Sequence, residues 1–250
     1  MALSFDFAPD RAPAFGLIML QTDSLVEPEL GPLFHGLGYR TYHSRIRAMP
    51  EVRPENLMSM GEVMTETAAM FPANIGMAAI GYACTSGATI LGEARVAELI
   101  GAAHPGMPVS NPLSGLKAAC RALGIGKIGL LSPYVANVAD AMIASLKNDG
   151  IAVGAFASFE QAEDHTVGRI DPRSILNALI KIGKGDCDAV FASCTNLRAF
   201  EVVEEAEAAI GKPVLCSNQV MAWHMLQIAG LKAVTPGRGR LFESNLFAQP

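Results

Sequence analysis

The feature that most constrains this chain is a phrase written twice. Ala79-Ile80-Gly81-Tyr82-Ala83 runs as an apolar strand into Cys84-Thr85-Ser86-Gly87, and Ala189-Val190-Phe191-Ala192-Ser193 later runs into Cys194-Thr195-Asn196. A helical pattern follows each copy, then a second short strand: Pro108-Val109-Ser110-Asn111 after the first, Pro213-Val214-Leu215-Cys216-Ser217-Asn218 after the second. Short apolar strands that alternate with amphipathic helices must pair in parallel and be covered on both faces. The repeat therefore predicts an α/β protein of two similar lobes. Each is a parallel sheet of about four strands flanked by helices, and a pseudo-twofold relates them.

Periodicity places strands over 15–20, 38–44, 75–82 and 107–110, then over 127–132, 151–156, 188–193 and 213–216. Helices are expected where Leu57, Met60, Met64 and Ala68 recur, where Val96, Leu99 and Ile100 recur, and over 113–123, 138–146, 172–182, 198–210 and 218–229. Ser217 is the expected cap of the last. The first lobe is expected to span 1–112 with 219–250 returning to it, and the second 113–218. Residues 1–14 read as a loose arm, and Pro236-Gly237-Arg238-Gly239-Arg240 as turn-rich.

Composition narrows the function. Half of the 250 residues are hydrophobic and 17% charged, which excludes a disordered chain. The net charge of −5, with no block of like charge, argues against nucleic-acid or membrane-surface partners. No apolar run has the length of a membrane span and no secretion signal opens the chain, so a cytoplasmic protein is expected. Its five cysteines, an odd number without a CxxC pair, suit reduced thiols better than a disulfide framework.

Several motifs have plain explanations. Gly124-Ile125-Gly126-Lys127-Ile128-Gly129 matches GxGxxG, but a helix precedes it and a strand follows, the reverse of a dinucleotide site. The five histidines show no metal-ligand spacing, so no metal is expected. Cys120 falls on an apolar helix stripe and reads as core, while Cys187 and Cys216 read as packing or incidental. Cys84 and Cys194 differ, because each enters a helix, where unpaired amides favour a thiolate.

In open parallel sheets ligands bind beyond the carboxyl ends of the strands. Asp23, Arg45, Cys84, Tyr134, His165 and Cys194 all fall at such ends. Two thiols facing one another across a cleft suit cofactor-free chemistry on a small carboxylic or amino acid. One thiolate removes a proton from carbon while the opposing thiol delivers one. Alternatively a thiolate adds to a C=C bond, the former double bond rotates, and elimination releases the other geometric isomer. Both routes need donors for a carboxylate, which Thr85, Ser86, Gly87, Thr195 and Asn196 could supply, with Arg45 a further candidate.

Cys84 and Cys194, Ser132-Pro133-Tyr134, Pro213-Val214 before Ser217-Asn218, and Pro236-Gly237 before Gly239-Arg240 together resemble the Asp/Glu racemase superfamily, in its maleate isomerase and arylmalonate decarboxylase branch. The resemblance runs from Gly16 to about Leu241. It implies two lobes, no cofactor, a nucleophile at Cys84, an acid/base partner at Cys194 and assistance from Tyr134; a homo-oligomer is left open. Arylmalonate decarboxylases keep only the second cysteine, with a glycine at the first, so the presence of both here counts against decarboxylation; decarboxylation through Cys194 and a non-catalytic binder of small acids are the alternatives. Gln21-Thr22-Asp23 and Ser217-Asn218-Gln219 before Trp223-His224 look like racemase-like proteins of ectoine utilisation. Maleate isomerases carry asparagines at the positions aligned with Asp23 and His165, where the amides bind substrate carboxylates. An acidic Asp23 there would repel a dicarboxylate unless it is protonated or paired with Arg45 or Arg47, which points to a nitrogen-bearing acid. The alternative is that Asp23 only bonds nearby backbone amides and that the alignment at His165 is off by one residue.

Overall fold

The computed structural model describes residues 3–7, 12–231 and 235–243. Strands β1 (Ala14–Leu20), β2 (Arg40–Ile46), β3 (Met77–Ala83) and β4 (Val109–Ser110) form one sheet in the order β2-β1-β3-β4. Strands β5 (Lys127–Tyr134), β6 (Ala152–Gln161), β7 (Ala189–Ala192) and β8 (Val214–Cys216) form a second in the equivalent order β6-β5-β7-β8. Every pairing is parallel. The central strands β1 and β7 are buried along their whole length, as strands with both faces covered must be.

The helices are α1 (Val26–Gly36), α2 (Pro54–Ala69), α3 (Thr85–Leu91), α4 (Glu93–Ala103), α5 (Pro112–Leu123), α6 (Ala136–Asn148), α7 (Asp164–Val167), α8 (Pro172–Gly183), α9 (Val203–Ile210), α10 (Ser217–Ile228) and α11 (Arg240–Glu243). Helix α1 was not foreseen. Pro28, Gly31 and Pro32 weaken its sequence pattern, but Asp23 Oδ1 accepts hydrogen bonds from Leu25 N at 2.9 Å and Val26 N at 2.8 Å and starts it. The stretch after Cys84 forms two helices, because Gly92 adopts φ +85° and breaks it between α3 and α4. The polar segment 160–165 holds the end of β6 and the start of α7.

Helix α10 is buried on almost every side, and it packs against β3, β4 and α5. Its approach to α5 depends on Gly115, where a Cβ would lie 2.5 Å from the carbonyl oxygen of Val220. Ser217 is not its cap: Cys216 is the N-cap residue and Gln219 reaches back to it, which frees the Ser217 hydroxyl for other work. Cys120 lies in the core, on the buried face of α5. The segment between β2 and α2 is laid onto the turn after β6 through Val52 N to Ala162 O (3.0 Å) and Asp164 N to Pro50 O (3.2 Å), which joins the two halves.

Candidate active site

The carboxyl ends of the two sheets meet at a small enclosed cavity. Cys84, Thr85 and Ser86 line it from the end of β3, Tyr134 from the end of β5, Cys194 and Thr195 from the end of β7, and Asp164 from α7. Leu20, Val52 and Leu57 close it with apolar surface. Its volume of about 10 Å³ has room for roughly one water molecule.

Cys84 is the N-cap of α3, and its sulfur accepts from Gly87 N at 3.2 Å. A side chain at 87 would destroy this geometry, since a Cβ there would lie 2.9 Å from the sulfur and 2.3 Å from the Tyr82 hydroxyl. Cys194 has φ +110°, a conformation L-residues rarely adopt and one that costs about 1–3 kcal/mol. Surrounding bonds hold it there. Cys194 N donates to Ser217 Oγ at 2.9 Å, and Ser217 Oγ shares a hydrogen bond with Thr85 Oγ1 at 2.8 Å. Thr195 Oγ1 donates to Ala83 O at 3.1 Å. The backbones that carry the two thiols are thus braced together by Ser217 and Thr195, across the two sheets.

Tyr134 OH lies 3.1 Å from Cys194 Sγ and 2.8 Å from Asp164 Oδ1. Asp164, only 1% exposed, also accepts from Thr22 Oγ1 at 2.7 Å and Asn196 Nδ2 at 3.2 Å. Among the described residues, no Lys, Arg or His lines the cavity. Burial, reinforced by the Asp164 charge, pushes the Cys84 thiol up to about 12 despite the bond from Gly87. Burial and then Asp164 push Cys194 well above its ordinary value, and burial raises Tyr134 similarly. The expectation that helix entry favours thiolates is therefore corrected: desolvation outweighs a single amide donor.

Other expected site residues lie elsewhere. His165 points outward, with Nδ1 3.3 Å from Glu163 Oε2. Its neighbour Asp164 takes the inward position and lines the cavity. Arg45 donates to the carbonyl oxygens of Leu20, Gln21 and Asp23 and pairs with Glu27, so its guanidinium is engaged outside the cavity. Asp23 is buried and caps α1; the Thr195 side chain also meets its carboxyl, and burial raises it to about 6. The Asn196 side chain is used within the protein, accepting from Ser24 and donating to Asp164, while Asn196 N donates to Cys194 Sγ at 3.3 Å. Asp164, Thr22 and Ser217 were missed as site residues. Only the shift considered at His165 hinted at the first.

All five cysteines are free, and among the described residues no group of three or more His, Cys, Asp or Glu is arranged to hold a metal. No helix among the described residues is long and apolar enough to cross a membrane. The sequence profile of arylmalonate decarboxylase matches residues 15–242. A maleate isomerase of Nocardia farcinica is 27% identical over 240 residues, which are 92% of this chain and 95% of that protein. A structure of the Nocardia farcinica maleate cis-trans isomerase bound to TRIS superimposes with a TM-score of 0.83 at 25% identity, over 92% of this chain and 97% of the other. The Pseudomonas putida S16 maleate isomerase with maleate gives a TM-score of 0.85 at 21% identity, over 95% of this chain and 100% of the other. The chain belongs to the arylmalonate decarboxylase and maleate isomerase family of the Asp/Glu racemase superfamily.

Proposed function

We propose that this protein is a cofactor-independent isomerase that uses Cys84 and Cys194 on a small carboxylic acid bearing nitrogen. The observation that carries the proposal is the pair of buried thiols at the equivalent strand ends, β3 and β7, lining one cavity with Tyr134. Cys84 takes a proton from the carbon next to the carboxylate, and Cys194 returns one from the other side. Thr85, Ser86 and Thr195, which line the cavity, receive the carboxylate.

The substrate class follows from charge. Asp164 lines the cavity, and among the described residues no cationic side chain lines it with Asp164. A second substrate carboxylate against it would cost about 4 kcal/mol at contact, with an effective dielectric near 20. A substrate ammonium removes that repulsion. It also brings the positive charge that Cys84 needs in order to lose its proton in so buried a site. Cis-trans isomerisation of maleate is the second possibility, favoured by the likeness to the Nocardia farcinica maleate isomerase.

Incubation of chiral amino acids, arylmalonates and maleate with the enzyme in heavy water separates these activities. Exchange of the α-proton with loss of optical activity is the expected result for a nitrogen-bearing acid. Carbon dioxide release indicates a decarboxylase, and binding without reaction indicates a binder. Efficient maleate turnover, unimproved by Asp164→Asn, would overturn the substrate class.

A further inference from the structure

The hydroxyl of Tyr134 has one proton and two partners. It lies 2.8 Å from Asp164 Oδ1 and 3.1 Å from Cys194 Sγ. A carboxylate only accepts hydrogen bonds, so the tyrosine proton goes to Asp164. The lone pairs of the tyrosine oxygen then face sulfur, and the remaining proton of that contact must come from Cys194. The chain of bonds runs Cys194 S–H to Tyr134 O–H to Asp164.

We propose that Asp164 is a positioning residue that sets this direction, holds Cys194 as a thiol, and so makes Cys194 the acid and Cys84 the base of the two-thiol reaction. The assignment of acid and base rests on the isomerase proposal; the direction of the hydrogen bonds does not. Cys84 is met by the Gly87 amide and by the hydroxyl of Tyr82, whose other partner is Met60 Sδ at 3.5 Å rather than a carboxylate, so nothing equivalent to Asp164 directs that tyrosine's proton away from sulfur. The other groups facing Cys194 leave the direction intact. Asn196 N donates to its sulfur, and Cys84 stands on the side of the first sheet and acts on it through charge alone. Glu163 and His165, beside Asp164 in sequence, pair with each other at the surface.

The neighbours of Asp164 also say what a near-isosteric amide would do. Thr22 Oγ1 and Asn196 Nδ2 both point at Oδ2, so an asparagine here would place its oxygen there and its NH₂ group against Tyr134. Tyr134 would then accept from that NH₂ and give its own proton to sulfur. The chain would reverse and favour the Cys194 thiolate.

The test is the pH dependence of iodoacetamide labelling at Cys84 and Cys194, read peptide by peptide by mass spectrometry. It covers the wild type, Asp164→Asn, Tyr134→Phe and the double variant, each checked for native circular dichroism. Asp164→Asn is expected to lower the ionisation midpoint of Cys194 by about one pH unit or more, and to do so far less at Cys84. In the Tyr134→Phe background the shift should largely vanish, because the relay is gone. Mere loss of a nearby negative charge would shift both thiols and would not need the tyrosine. An equal shift at Cys84, a shift that survives Tyr134→Phe, or no shift at all would each overturn the proposal. Labelling needs no turnover, so absence of isomerase activity on every acid would leave this result standing and would count against the isomerase proposal alone.

Discussion

Removing one hydroxyl should cost this protein both stability and rate. Ser217 is fully buried, receives the amide proton of Cys194 and bonds Thr85. In Ser217→Ala the Cys194 amide is left inside the protein without an acceptor, a penalty of about 1–3 kcal/mol. The same bond helps to hold Cys194 at φ +110°, so the backbone is also free to relax towards a more common conformation. A net loss of about 2 kcal/mol is expected, a factor of roughly 30 in the folding equilibrium. Trp223 is the single tryptophan and is buried, so its fluorescence reports urea unfolding directly. The midpoint should fall at constant slope. With the best substrate from the heavy-water screen, kcat should drop by about 10²-fold with little change in KM, since a displacement of about 1 Å at a reacting group has that effect. Stability within about 0.5 kcal/mol of wild type, together with unchanged kcat, would refute the brace. It would mean that the Cys194 amide finds another acceptor without moving the thiol.

Two further outcomes are expected. Cys84→Ser and Cys194→Ser should each lower turnover by about 10²–10⁴-fold, whereas Cys120→Ser, a core residue of α5, should leave kcat near wild type; equal inactivity of all three folded variants would contradict the assignment. Burial raises Glu29 from 4.5 to about 8, so the folded protein still holds this proton where the unfolded chain has lost it. Stability is therefore expected to fall as pH rises from about 4.5 to about 8, and Glu29→Gln should flatten that slope in urea titrations at several pH values.

Much of the architecture was legible in the chain. Apolar runs such as Phe15 to Leu20 and Ala189 to Ala192 have no polar face to turn to water, so they read as central strands wherever they occur. The repeated cysteine phrase at the ends of β3 and β7 announced the two halves. Local signals failed where partners are distant in sequence. Helix α1 depends on the cap supplied by Asp23 and on the core contacts of Leu30, Leu33 and Phe34, none of which Pro28, Gly31 and Pro32 suggest. The choice between Asp164 and His165 could not be made from the polar run 160–165. Two adjacent side chains at the start of a helix point in different directions, and the backbone bond from Asp164 N to Pro50 O helps to set which one turns inward. The role of Ser217 was hidden for the same reason. Its sequence position fits a helix cap, but its hydroxyl serves Cys194 and Thr85, partners that only the packing of α10 between the strand ends brings within reach. Sequence periodicity determined the sheets and the two thiols at their ends. Tertiary packing decided which polar groups surround those thiols, because a buried polar group takes whichever partner the fold brings to it.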